Sequence, residues 1–372
     1  MQNQWNGIYG QEPVKEILSR LIDSSKIPHA FLFSGPEGTG KDFFALRFTQ
    51  ALNSRFLSPG KSEEIVHSIS NFSEPFIKYI FPLPRGKNEN DESGPLEKLS
   101  SDDIQMLQEE LAKKKSNPYH KIILPRASII KINSIRDIRK FLSLNYEDVL
   151  YRIILISDAH LMNEESQNAL LKNLEEPPEG VIFILTTPYP GRLRETIRSR
   201  CWIMNFLPLP DNDIKDILIK YFEVEPELAQ NIAPFAGGSV RTAMKLLEHD
   251  FNMLLDKTIY ILRYSLGRKF DSALNEFTPF LNDNNAETVK LLIQMMIIWL
   301  NDVQRHRYGN GNYFFKSYSD TLEKFNGKFS DVPLGGVVAG LDKLASVLQN
   351  NVNLNLVVLN VVYELSAVTG RY

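Results

Sequence analysis

The feature that most narrows what this chain can fold into is the run Gly35-Pro36-Glu37-Gly38-Thr39-Gly40-Lys41-Asp42. It matches G-x-x-x-x-G-K, and its setting matters as much as its letters. Before it, Ala30-Phe31-Leu32-Phe33-Ser34 reads as a buried strand; after it, the residues from Asp42 to Leu52 read as a helix. Strand, glycine-rich turn and helix together open an α/β nucleotide fold, a P-loop. The glycines let backbone N–H groups curl round phosphate, the helix N-terminus adds positive potential, and Lys41 reaches for the β and γ phosphates. Gly35, Gly38, Thr39, Gly40, Lys41 and Asp42 are therefore the candidate binding residues, with ATP and Mg²⁺ as the expected ligands.

The last of these positions breaks the rule. A working P-loop places Ser or Thr there, whose hydroxyl ligates Mg²⁺. Asp42 can ligate a metal but sets a negative charge beside a triphosphate, which is expected to weaken nucleotide binding or misplace the metal. A second departure lies at Ile153-Ile154-Leu155-Ile156-Ser157-Asp158-Ala159-His160. This is the form of a Walker B strand, which ends in a metal-positioning Asp followed by a water-activating Glu. Ser157 takes the Asp place and Asp158 the Glu place. Neighbouring strand side chains point to opposite faces, so Asp158 does not simply replace the missing ligand. With two catalytic positions altered, hydrolysis at this site is not expected; Asp158 alternatively caps the helix after the strand.

Further along, strands and helices alternate. Ile129–Ile132 is expected as a short strand, and Ile135, Ile138, Phe141 and Leu142 recur at helical spacing. The apolar runs Arg152–Ser157 and Val181–Thr186 suit central parallel strands covered on both faces, and Ser166–Leu174 a helix stopped by Pro177-Pro178. Residues 56–125 interrupt this pattern and are read as an insertion, with an exposed, mobile loop at 82–95 and a helix at 102–115. After Pro208 and Pro210 the strand signal ends. The expected division is an α/β domain at 1–208, a small helical unit at 209–250 and an all-α domain at 251–372. Val352–Ala367 is rich in Val and Leu, but its length and apolar spacing favour a helix.

A formal net charge of -3 over 372 residues advertises no basic field for nucleic acid, so any DNA contact is local or shared. The single cysteine, Cys201, cannot make an internal disulfide or a multi-cysteine zinc site; it suits a reducing cytoplasm and reads as a small buried hydrophobe. The polar N-terminus is no secretory signal, and the apolar stretch Leu291–Leu300 is too short to span a bilayer, so no membrane is expected.

Four strings occur in order: Pro28-His29-Ala30-Phe31-Leu32-Phe33, Asn168-Ala169-Leu170-Leu171-Lys172-Asn173-Leu174-Glu175-Glu176-Pro177-Pro178, Ser199-Arg200-Cys201, and Gly237-Gly238-Ser239-Val240-Arg241. Together they resemble the bacterial clamp-loader subunits of DNA polymerase III, of the gamma/tau and delta-prime type, over most of residues 5–250. The resemblance implies an AAA+ domain, a helical lid at 209–250 and a helical collar at 251–372. It implies hetero-oligomeric partners of gamma/tau and delta type, the sliding clamp, and primed DNA within the assembly. Arg200 becomes the arginine finger acting in trans on a neighbour's γ-phosphate, where the residue alone could equally hold a structural salt bridge. Arg241 becomes the sensor 2 residue, and Thr187 falls near sensor 1, with Thr186 the competing choice. Altered metal positions beside a retained finger favour the delta-prime type; an active gamma/tau-like motor and a small-molecule P-loop kinase are the alternatives. The family's four-cysteine zinc module is not present in the sequence, and 56–125 stands in its place. Glu175 and Glu176, adjacent at a helix end, do not converge as an acid–base pair. Lys172 either approaches DNA phosphate or is a solvated lysine.

Overall fold

The computed structural model describes residues 4–55, 57–144, 149–282, 285–309, 311, 313–348 and 352–369. The outermost ends of the first and last expected domains, and Phe56 with which the expected insertion begins, lie outside them. The chain divides into two compact units. One runs to Val224 and takes in Gly238–Arg241; the other comprises Glu225–Gly237 and the chain from Thr242 onward.

The first unit holds α1 (Glu12–Ser24), β1 (Ala30–Ser34), α2 (Lys41–Ser54), α3 (Pro59–Ser70), β2 (Ile77–Ile80), α4 (Ser101–Ser116), α5 (Ile132–Ser143), β3 (Arg152–Ile156), α6 (Glu164–Glu175), β4 (Val181–Thr187), α7 (Glu195–Arg198), β5 (Trp202–Asn205) and α8 (Asp211–Phe222). Its five strands form one sheet in the order β2-β3-β4-β1-β5, every pair parallel. Each strand side chain turns to the face opposite its neighbour's, so an apolar run feeds two cores at once. Phe31, Phe33, Ile153, Leu155, Ile182 and Ile184 pack on one face, with Phe44 and Phe48 of α2 and Leu18 of α1. Leu32, Ile154, Ile156, Phe183 and Leu185 pack on the other, with Ile138 of α5, Leu170 of α6 and Ile197 of α7. This double coverage explains why β1, β3 and β4 are legible as unbroken apolar runs.

Three details differ from the sequence reading. Ile129–Ile132 is not a strand; Ile130 makes an isolated parallel bridge to Met162, and α5 starts at Ile132. The stretch read as an insertion contributes β2, which pairs with β3 from Ile77↔Ile153 to Ile80↔Ile156. The loop at 82–95 is tethered: Glu89 accepts from the Gly86 N–H at 2.7 Å and meets the buried Lys131 ammonium at 2.8 Å. A turn-rich composition therefore coexists with a fixed anchor, because Lys131 needs a carboxylate inside.

The second unit is helical among its described residues: α9 (Pro226–Ile232), α10 (Val240–Glu248, from Thr242), α11 (Phe251–Leu266), α12 (Phe270–Asn282), α13 (Ala286–Arg307), α14 (Ser319–Lys328), α15 (Gly335–Val347) and α16 (Leu354–Ala367). Three of these starts are capped by side chains that accept the first free N–H groups, from Asp250, Asn285 and Asn353. The cap at Asn353 helps the Val-rich last segment to be a helix. Its Leu354, Val357, Val358, Val361, Val362 and Leu365 are buried at helical spacing. Within the first unit Cys201 is buried, and burial pushes its thiol up to about 12. No helix among the described residues is long and apolar enough to cross a membrane.

Candidate functional site

The P-loop lies where the sequence puts it, between the end of β1 and the start of α2. Gly38 has φ +73°, and a Cβ there would sit 2.4 Å from the backbone nitrogen of Arg241 and 2.7 Å from Ser239 Oγ. Only glycine fits that approach. The Val240 N–H also donates to Gly38 O (3.1 Å), so the residues about Arg241 back the loop. Gly40, at φ +81°, is the residue before α2 and faces the ring of Tyr119. Thr39 is buried, with its hydroxyl on Pro36 O (3.0 Å). Lys41 folds back into the loop and donates to Gly35 O (2.8 Å) and Pro36 O (2.5 Å). Burial lowers its ammonium to about 8, against the support of Asp42, Asp158 and Glu37.

The metal end of the site is built differently. Asp42 and Ser157, the two departures from the working pattern, bond each other: Ser157 Oγ donates to Asp42 Oδ2 at 2.5 Å. Tyr79 OH of β2 donates to the same oxygen (3.2 Å), and Thr186 Oγ1 of β4 to Oδ1 (2.7 Å). Desolvation pushes the Asp42 carboxyl up, but Lys114, the Ser157 and Thr186 hydroxyls and Lys41 outweigh it, and it ends below its ordinary value. Strand alternation turns the two threonines to different surroundings. Thr186 faces Asp42, whereas Thr187 is fully buried and accepts from the Tyr189 N–H (3.0 Å).

Asp158 sits in the left-handed region at φ 52° just past β3. Its carboxylate pairs with Lys121 at 2.9 Å, and the same ammonium meets Glu37 of the P-loop at 2.6 Å. Lys121 belongs to the chain leaving α4, a segment no motif singled out. Within it, the buried Lys114 donates to Pro118 O and His120 O, both at 2.7 Å. Asn117 donates to Tyr221 O (2.8 Å), and the Tyr119 ring packs edge-on to Phe43 (5.4 Å between centroids). The stretch 114–121 is thus fastened across the P-loop. Three lysines (Lys41, Lys114, Lys121) stand against three carboxylates (Glu37, Asp42, Asp158).

Phosphate and metal fit this arrangement unequally. The loop supplies glycine-permitted backbone and Lys41, the requirements of an anion cradle. Magnesium needs oxygen ligands at near-ideal octahedral positions. Here Asp42 is held by three hydroxyls and Asp158 by Lys121, so the carboxylates do not fit a metal as they stand. Among the described residues no group of three or more His, Cys, Asp or Glu could hold a metal ion.

Arg200 lies apart from this closed set, just past α7. It donates to Thr196 O (2.8 Å) and pairs with Glu175 of α6 at 2.9 Å, with both side chains part-exposed. Lys172 is exposed.

A parallel α/β sheet with a P-loop after its first strand makes this a P-loop α/β protein. Residues 10–210 match the family described as "DNA polymerase III, delta subunit", and the chain belongs to that family. It is 29% identical over 250 residues to DNA polymerase III subunit tau of Bacillus subtilis, covering 66% of this chain and 37% of that one. It is 25% identical over 316 residues to subunit delta' of the same organism, covering 83% of this chain and 82% of that one. The chain thus spans well under half the length of the tau relative. The solved DNA polymerase III gamma subunit-related protein of Thermotoga maritima aligns over 95% of this chain and 99% of its own, at 17% identity and TM-score 0.41.

Proposed function

We propose that the chain is a delta-prime-like subunit of a sliding-clamp loader, which helps to place the clamp on primed DNA and lends Arg200 to a neighbouring subunit's ATP. One observation carries this reading: the two positions that hold the metal in a working site, Asp42 and Ser157, are bonded to each other. The chain's own site is closed at the point where hydrolysis needs it open. Among the described residues Arg200 is held by a carbonyl and one part-exposed carboxylate. A part-exposed ion pair is worth about 1 kcal/mol or less, so it yields readily to a phosphate. A guanidinium aimed at a γ-phosphate across a subunit boundary stabilises the charge that develops in the transition state.

Assembly has its own support. Leu356, Leu359 and Tyr363 of α16 are exposed at i, i+3 and i+7, an apolar stripe on a helix whose other face is core. Trp202, Ile203 and Leu207 are exposed on and beyond the edge strand β5. Exposed apolar side chains of this size are the kind that protein contacts cover. On this reading 209–250 is the lid, 251–372 the collar, and Arg241 the residue of the lid that faces phosphate.

The test is ATP hydrolysis by the purified chain, alone and mixed with a gamma/tau-type partner. Negligible turnover alone, with turnover by the mixture that is lost on Arg200→Ala, is the expected result. Robust Lys41-dependent hydrolysis by the isolated chain would instead make it a gamma/tau-like motor.

A further inference from the structure

Lys121 is drawn from outside every motif, yet its ammonium sits between the P-loop carboxylate Glu37 (2.6 Å) and the strand-end carboxylate Asp158 (2.9 Å). A divalent metal at a P-loop neutralises phosphate charge against just such carboxylates. A chain that supplies its own cation there has no need of one. We propose that Lys121 is a built-in cation at the mouth of this P-loop, and that the loop binds the polyphosphate of a nucleotide through Lys41 and Lys121 without a divalent metal.

Three further observations support it. The segment that carries Lys121 is fixed: Asn117 holds Tyr221 O, Tyr119 packs on Phe43, and the Tyr119 hydroxyl accepts from the Tyr9 N–H at 3.3 Å. The ammonium is therefore delivered at small entropic cost. The two carboxylates it holds keep it charged, raising its proton affinity against the burial that opposes it. Lastly, Asp42, the remaining carboxylate of the metal end, is occupied by Ser157, Thr186 and Tyr79. A metal entering this site would have to displace Lys121 from Asp158 or three hydroxyls from Asp42. A phosphate needs only to share an ammonium, which has three donors. The inference does not depend on the role of Arg200.

The experiment is a titration of the full chain with a fluorescent ADP analogue, in excess Mg²⁺ and in excess EDTA. Affinity in the two buffers is expected to agree within about threefold. Lys121→Gln is expected to weaken binding in EDTA by about tenfold or more, the worth of one charge-assisted contact to phosphate. Lys121→Arg keeps the charge and is expected to retain most of the affinity; it serves as the folded control. A tenfold loss on chelation in the wild-type chain overturns the proposal, since the metal would then be doing the work. So does no detectable binding in either buffer. Tighter or unchanged binding by Lys121→Gln also overturns it, and would make Lys121 a plug instead of a ligand.

Discussion

Two charged regions of the first unit follow opposite rules. At the P-loop mouth every named charge is answered from within the chain: Lys41 by loop carbonyls, Asp42 by three hydroxyls, Asp158 and Glu37 by Lys121. At Arg200 the described partners are the Thr196 carbonyl and one carboxylate, Glu175, with the two charged side chains 35% and 49% exposed. Lys41, Asp42 and Asp158 are withdrawn from water and costly to leave without partners, so the first region is bound up with stability through them, whereas its Lys121–Glu37 contact is as exposed as Arg200. Charges that stay wet exchange partners at little cost, so the second is free to serve another molecule. The difference teaches that a nucleotide motif can be closed by its own side chains while an arginine elsewhere in the same unit keeps an exchangeable partner. Here the motif has turned inward, and the arginine proposed to act on a neighbour's nucleotide is part-exposed.

The contrast can be broken most directly at Arg200. Arg200→Ala should lower the turnover of an assembled complex by about a thousandfold, the scale of a lost finger, while leaving this chain's unfolding midpoint unchanged. Unchanged turnover would reduce Arg200 to half of a surface ion pair. Asp42→Ala should do the reverse. It strands the Ser157, Thr186 and Tyr79 hydroxyls and withdraws the charge that supports Lys114, at a cost of about 2–3 kcal/mol in denaturant unfolding. A neutral Asp42→Ala would show that the inward set is not structural.

A pH series sharpens the comparison further. Burial holds Lys41 at about 8, below its ordinary 10.5, so the folded chain releases this proton before the unfolded chain does. Across that window the unfolded state binds more protons, and stability should rise with pH. Lys114 is lowered in the same sense and contributes with the same sign. Lys41→Met should flatten part of the rise, read as thermal midpoints from about pH 8 up to about pH 10, and an identical slope in the variant would remove Lys41 from the account. The smallest effect belongs to Glu175→Gln. Loss of the part-exposed Arg200 pair should change stability by less than about 1 kcal/mol. A larger loss would mean that Arg200 is structural after all.

Much of this molecule was readable in advance. The strands β1, β3 and β4 are apolar runs because both faces of the sheet are covered, and the P-loop announces itself through glycines that no other residue can replace. The departures at Asp42 and Ser157 were equally plain. β2 was missed because Ile77–Ile80 is a four-residue strand in a polar, turn-rich stretch, and β5 because Trp202–Asn205 is a short edge strand with exposed side chains. The short strand expected at Ile129–Ile132 dissolved into one bridge and the first turn of a helix.

The sequence by itself determined the class of fold, the place of the glycine-rich loop between β1 and α2, and the presence of Asp and Ser at positions 42 and 157. These are local properties: a period, a backbone conformation, a residue type at a fixed offset. The tertiary structure alone decided what became of the altered positions. That Asp42 meets Ser157 across 115 residues, that Thr186 and not Thr187 faces it, and that Lys121 closes on Glu37 and Asp158 are consequences of strand register and of where one connecting segment is fastened. A buried charge must find its counter-charge somewhere, but which one it finds depends on packing, and no spacing along the chain records it.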